Sequence, residues 1–182
     1  MTPPQKPGPR AGRIAGMLRV DHAGEYGAVA IYRGQRAVFD KLPHKARTAA
    51  LLKEMEDGEA HHLETFDRLL AERKVRPTLL APLWNAAGFG LGAATALMGE
   101  KAAMACTEAV EDVIEKHYAE QIDELEASEP ALAETVRKFR DDELEHKRTA
   151  EEEGAHDVPG YRLLSAAIRA GCRAAIRIAE KV

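Results

Sequence analysis

One pattern, written twice, constrains this chain more than any other feature: Glu25 followed by Glu59-x-x-His62, then Glu111 followed by Glu143-x-x-His146. The lone glutamate precedes its Glu-x-x-His by 34 residues in the first half and by 32 in the second. A duplicated αα-hairpin explains the repeat most simply. On a helix, residues three apart are neighbours, so each Glu-x-x-His offers an oxygen and a nitrogen to the same point. Four glutamates and two histidines so distributed are the ligand set that a four-helix bundle uses for a pair of iron ions.

A single Glu-x-x-His on a chain with 31% charged residues is usually a solvated helix surface. What sets these apart is their register. Ile14, Leu18 and Tyr32 share a stripe with Glu25, and Leu52, Met55, Phe66 and Leu70 share one with Glu59 and His62. In the second half Met104, Tyr118, Ile122 and Leu125 align with Glu111, and Leu132, Val136, Phe139 and Ala150 with Glu143 and His146. Each of four helices therefore turns a ligand inward. Unpaired, six buried ionisable groups would cost several kcal/mol each. Two divalent cations remove that cost, and the mixture of carboxylates and imidazoles suits iron or manganese equally. Nearby His61 and Glu145 fall off the stripes and are expected either in solvent or just behind the ligands. Asp21 and Asp142 are candidates to support the ligating histidines from behind.

At 182 residues and 45% hydrophobic, the chain is long enough for one self-sufficient domain. A net charge of −4 excludes a global nucleic-acid footprint. Cys106 and Cys172 are too few and too far apart for a disulfide framework or a CxxC redox pair. They are expected as small core residues. Residues 1–10, with Pro3, Pro4, Pro7 and Pro9, read as a disordered arm, and no apolar secretion segment is present, so the chain is expected to stay inside the cell. Residues 11–182 read as a single all-α domain made of two αα-hairpins, over 11–74 and 93–153, and a C-terminal helix over 158–182.

Between the hairpins, Pro77 to Gly99 is a charge-free stretch of 23 residues. Its length would cross a bilayer, but Pro82, Asn85 and four glycines would open backbone hydrogen bonds there, so it is expected as an apolar crossover. Leu83, Trp84 and Phe89 are its candidates for a membrane interface. The third bundle helix is expected from about Ala93. In the C-terminal helix, Arg162, Arg169, Arg173 and Arg177 share one sector opposite an apolar face. Such a helix commonly just caps a bundle. Beside the apolar crossover it is expected instead to bind an anionic bilayer surface.

RVDHAGEYGA around Glu25, EAHHL around His62, ACTEAVEDVIEKHYAEQI around Glu111 and FRDDELEH around His146 resemble the demethoxyubiquinone hydroxylase family, and the likeness runs on through GYRLLSAAIRAGCRAAIRIAE. The resemblance implies a ferritin-like bundle with two irons that hydroxylates the ring of a polyprenylated demethoxyubiquinone with O2 and NADH or another electron donor. It implies a peripheral membrane protein on the cytoplasmic face of a bacterial inner membrane, or on the matrix face of the mitochondrial one. A lipid-binding partner protein and a homo-oligomer belong to the same expectation. Carried over residue by residue, the family's ligands fall on Glu25, Glu59, His62, Glu111, Glu143 and His146. His117 and Tyr118 match an His-Tyr pair placed near the metals for electron or proton transfer. Glu108 departs from the family pattern, where an apolar residue is usual, and competes with Glu111 as a ligand. The rival from another class is a ferritin-type storage or ferroxidase subunit, which has little use for the apolar crossover or the basic helix.

Overall fold

The computed structural model describes residues 9–180. Most of the expected N-terminal arm lies outside that range, while its residues 9 and 10 already belong to the first helix. Six helices follow in order: α1 (Pro9–Phe39), α2 (Ala46–Glu72), α3 (Ala81–Leu97), α4 (Glu100–Leu125), α5 (Pro130–Glu152) and α6 (Tyr161–Ala179). The breaks fall where proline and glycine dictate. A 3-10 turn starting at Pro43 separates α1 from α2, and Pro130 occupies the first turn of α5, where a missing N–H costs nothing. Gly154 and Gly160, both with positive φ, bracket the link between α5 and α6.

The hairpins α1–α2 and α4–α5 form the four-helix bundle, with α3 laid along α1 and α6 along α4. The bundle core is divided by the site. On one side Leu18, Phe66, Tyr118, Leu125, Val136 and Phe139 pack together. On the other, Tyr32, Phe39, Leu52, Met55, Met104 and Ala150 do the same. The candidate ligands sit at the middle of every bundle helix, between these two clusters, because each apolar stripe is interrupted there by its Glu or His.

Most of the stretch expected as an apolar crossover forms a helix of its own, and this changes where the next one starts. The third bundle helix begins at Glu100 rather than near Ala93, since residues 93–97 finish α3 and Gly99, with φ +112°, reverses the chain before α4. The glycines of α3 do not open the backbone. They bring two helices into backbone contact: a Cβ on Gly92 would lie 2.0 Å from the Ile31 carbonyl oxygen, and one on Gly34 would lie 2.2 Å from that of Phe89. Gly92→Ala must therefore push α3 off α1, with an expected loss of about 1–3 kcal/mol typical of overpacking, readable by denaturant unfolding. Among the described residues no helix is long and apolar enough to cross a membrane.

Candidate metal centre

All six sequence-selected ligands converge on one point. Glu25, Glu59, Glu111, Glu143 and His62 are fully buried, and the His146 side chain is 13% exposed. Their donor atoms form two overlapping groups, each within 4.8 Å: Glu25, Glu59, His62 and Glu143 in one; Glu59, Glu111, Glu143 and His146 in the other. Glu59 and Glu143 belong to both. His62 Nδ1 lies 3.3 Å from one Glu143 oxygen and 3.7 Å from one Glu59 oxygen, while His146 Nδ1 lies 3.0 and 3.5 Å from the other oxygens of Glu59 and Glu143. Each of these two carboxylates thus faces both histidines. Glu25 and Glu111 each serve one group.

The donor atoms fit a pair of cations and little else. Glu25 Oε2, Glu111 Oε2, both oxygens of Glu59 and Glu143, and Nδ1 of His62 and His146 are buried without a hydrogen-bond partner. So dense a set of orphaned acceptors is rare in a folded interior. With only protons present, the charges divide unevenly. Burial, followed by repulsion from neighbouring glutamates, pushes Glu25 and Glu111 well above the usual carboxylate range. Burial opposes the charge on His146, but Glu143 and Glu59 overcome it and push the ring up to about 11. His62 is raised in the same way by Glu143, Glu25 and Glu59. Glu59 is held low against its burial by contacts to His146 and His62.

Each lone glutamate is tied to the opposite repeat by a tyrosine. Tyr118 OH donates to Glu25, and Tyr32 OH donates to Glu111 over 2.8 Å. Burial and the adjacent carboxylates hold both phenols well above their ordinary value, so both stay protonated donors. Tyr118 was marked in the sequence, but Tyr32 was read only as a stripe residue. The signal was present, because Tyr32 follows Glu25 by seven residues as Tyr118 follows Glu111.

His117 stands one layer out. Its Nε2 lies 3.3 Å from Asp21, which also accepts 2.7 Å from Gln121, and the Asp21 carboxylate raises the imidazole against its burial. Asp21 therefore supports His117 rather than a ligating histidine. Asp142 does back a candidate ligand: its Oδ2 lies 3.1 Å from His62 Nε2. Exposed His61 and Glu145 lie outside the cluster, as their register required.

Glu108 is not a rival ligand to Glu111. Although buried, it points to α6, where Tyr161 donates over 3.0 Å, Ser165 over 3.3 Å and Arg169 over 2.5 Å. Arg169 also lies 3.1 Å from Asp112. The residue that departs from the family pattern is a latch for α6, and Arg169 leaves the solvent-facing sector to meet it. Arg162, Arg173 and Arg177 remain exposed. Of the crossover residues, Leu83 and Phe89 are 56% and 43% exposed, whereas Trp84 turns partly inward and its indole nitrogen is buried without a partner.

Trp84 turns into an apolar groove of about 510 Å³ enclosed by α1, α3, α4 and α6. Its floor includes Gly24 and Ala28, which flank Glu25, and Val110 and Ile114, which flank Glu111. Leu91 of α3 and Ile168, Cys172 and Ile176 of α6 form walls. Burial pushes the Cys172 thiol up to about 11, so it lines the groove as a neutral group. The volume is that of a small-molecule site, and the floor rests on the two helices that carry the lone glutamates.

The family model described as Ubiquinone biosynthesis protein COQ7 matches residues 12–179. A Rhodospirillum rubrum relative named 3-demethoxyubiquinol 3-hydroxylase is 50% identical over 179 residues, covering 98% of this chain and 82% of the relative. The mouse protein named NADPH-dependent 3-demethoxyubiquinone 3-hydroxylase, mitochondrial, is 47% identical over 169 residues, 91% of this chain and 76% of its own length. In Saccharomyces cerevisiae, the protein named 5-demethoxyubiquinone hydroxylase, mitochondrial, is 43% identical over 182 aligned residues, 91% of this chain and 77% of its own. With the fold, the paired ligand groups and these likenesses in agreement, the chain belongs to the ubiquinone biosynthesis protein COQ7 family.

Proposed function

We propose that this protein is a monooxygenase that hydroxylates the ring of a polyprenylated demethoxyubiquinone, in quinone or quinol form, using O2, two bound irons and a reduced nicotinamide. The observation that carries this reading is the convergence of six ligand side chains beside an apolar groove, in a chain half identical to a demethoxyubiquinol hydroxylase. Storage of iron is disfavoured by the same comparisons. When bound, the irons supply the redox activation of O2.

The chain's own residues do the rest. Glu59 and Glu143 would be shared by both irons, with Glu25 and His62 completing one position and Glu111 and His146 the other. Tyr118 and Tyr32 keep the two lone carboxylates aimed inward by hydrogen bonding. The groove takes the quinone ring toward Glu25 and Glu111 and excludes water around it. Trp84 offers its unpartnered N–H to a ring oxygen. His117, backed by Asp21, is placed to exchange protons between solvent and the neighbourhood of Tyr118. The electron donor is NADH or another reductant, and the mouse relative's name specifies NADPH. Anaerobic loading with ferrous ion followed by iron analysis tests the site: the reading expects about two irons per chain. Uptake of none, or a cage-sized particle filled with iron, would remove it.

A long isoprenoid tail confines the substrate to a bilayer, so the groove mouth must meet a membrane surface. Leu83, Phe89, Leu97 and Met98 around α3 and Leu163 and Ile178 on α6 are exposed large apolar side chains on the two helices that wall the groove. Exposed Arg162, Arg173 and Arg177 would add about 1 kcal/mol each near anionic headgroups. We therefore assign a peripheral attachment, on the cytoplasmic face of a bacterial inner membrane or the matrix face of a mitochondrial one, with residues 11–182 acting as one unit. The protein should sediment with anionic vesicles and detach partly in high salt. Joint Leu83→Asp and Phe89→Asp should reduce that binding at least tenfold while iron content stays the same; unchanged sedimentation would place the membrane contact elsewhere.

A further inference from the structure

The repeat allows the two metal positions to be compared residue by residue. In most respects they match. Each has one lone glutamate, each lone glutamate has a tyrosine donor, and both share Glu59 and Glu143. The symmetry fails behind the histidines. Asp142 directly precedes Glu143 and lies 3.1 Å from His62 Nε2. Its counterpart, directly before Glu59, is Gly58, where a Cβ would sit 3.3 Å from His146 Nε2. Among the described residues no hydrogen bond reaches that nitrogen.

A second break points the same way. Phe139, four residues before Glu143, stacks on His62 with ring centroids 4.0 Å apart and planes 29° from parallel. The counterpart before Glu59 is Met55, and the ring beside His146 is Tyr32, edge-on at 6.3 Å. His62 is 1% exposed on its side chain and His146 13%. One imidazole is thus fixed in tautomer and in rotation, and the other in neither.

We infer that the two positions are unequal: the His62–Glu25 position binds a divalent cation first and tightly, and the His146–Glu111 position binds the second weakly and exchanges it. The inference rests on the two-metal reading above. An acceptor behind Nε2 holds the proton there, leaves Nδ1 free to ligate and makes it a better donor; losing such a partner commonly costs 10–100-fold in metal affinity. Stacking on Phe139 adds to this because less rotational freedom is lost when the metal arrives. Exposure beside Gly58 gives the weaker position its route to solvent. Asp142 is accordingly a positioning residue, acting on the metal through His62.

Titration of the metal-free full chain with Mn2+ under anaerobic conditions, followed by electron paramagnetic resonance and calorimetry, reads each ion separately. The wild type should bind two ions in resolved steps, with an isolated-ion signal that gives way to a coupled pair. His146→Ala should keep the tight step, and His62→Ala should keep only the weak one. Asp142→Ala should weaken the tight step about 10–100-fold and merge the two, with the helical circular dichroism of the metal-free protein retained. Asp142→Asn, whose amide oxygen still accepts, should preserve the separation. Two ions of equal affinity in the wild type, or equal weakening of both steps by Asp142→Ala, would overturn the inference and leave the two-metal reading intact. Uptake that stops short of two ions would overturn that reading itself.

Discussion

Glu143→Ala is expected to yield a folded protein that cannot hold a metal pair and does not hydroxylate. Glu143 is fully buried, and its two oxygens face His62 at 3.3 Å and His146 at 3.5 Å, so its loss removes one donor from both positions. Even an outer partner of a ligand is worth 10–100-fold in affinity or activity, and a shared ligand should cost more. The metal-free fold should survive the change, because the two apolar clusters on either side of the site are left intact. Thermal unfolding separates these effects. Wild type at a metal concentration about 100 times its Kd should gain about 2.7 kcal/mol, and Glu143→Ala should gain almost none. Glu108→Ala should do the reverse. Its carboxylate holds Tyr161, Ser165 and Arg169 of α6, so about 1–3 kcal/mol of stability should go while both metals stay.

Cys172→Trp is expected to block the reaction by a different route. Cys172 stands on the α6 wall of the groove, opposite floor residues next to Glu25 and Glu111, and it is only partly buried. A larger ring there fills space that the quinone needs without touching a ligand. Turnover of a long-tailed substrate should fall at least tenfold, a barrier increase of about 1.4 kcal/mol, with iron content and unfolding midpoint close to wild type. Steady-state quinone turnover beside iron analysis is the measurement. Full activity in this variant would mean that substrate reaches the site by another path.

The bundle and the cluster of six candidate ligands were legible in the sequence for one physical reason. A glutamate or histidine on an apolar stripe has to be paid for by a partner, and the same exceptions recur at matched spacing in both halves. Readings that depended on what lies across a helix interface fared differently. Arg169 shares a helical sector with Arg162, Arg173 and Arg177, yet it turns to Glu108 and Asp112 on α4, a partnership no single-helix periodicity reveals. Trp84 was placed at a membrane interface because its segment is charge-free and its ring suits the headgroup region. Once Gly34 and Gly92 let α3 lie directly on α1, the indole faces the groove instead. Gly58 carried no signal at all until its position behind His146 was visible.

Oxygen transfer to a quinone ring is the chemistry that the six candidate ligands and the groove beside them should support. The direct measurement is a single-turnover reaction of the iron-loaded protein, reduced anaerobically with a nicotinamide donor and mixed with a short-tailed demethoxyubiquinone analogue. Isotopically labelled O2 is then admitted, and the quinone is analysed by mass spectrometry. A gain of one labelled oxygen atom on the ring is the expected result. Iron oxidation with the quinone recovered unchanged, and the label found only in water, would contradict the account.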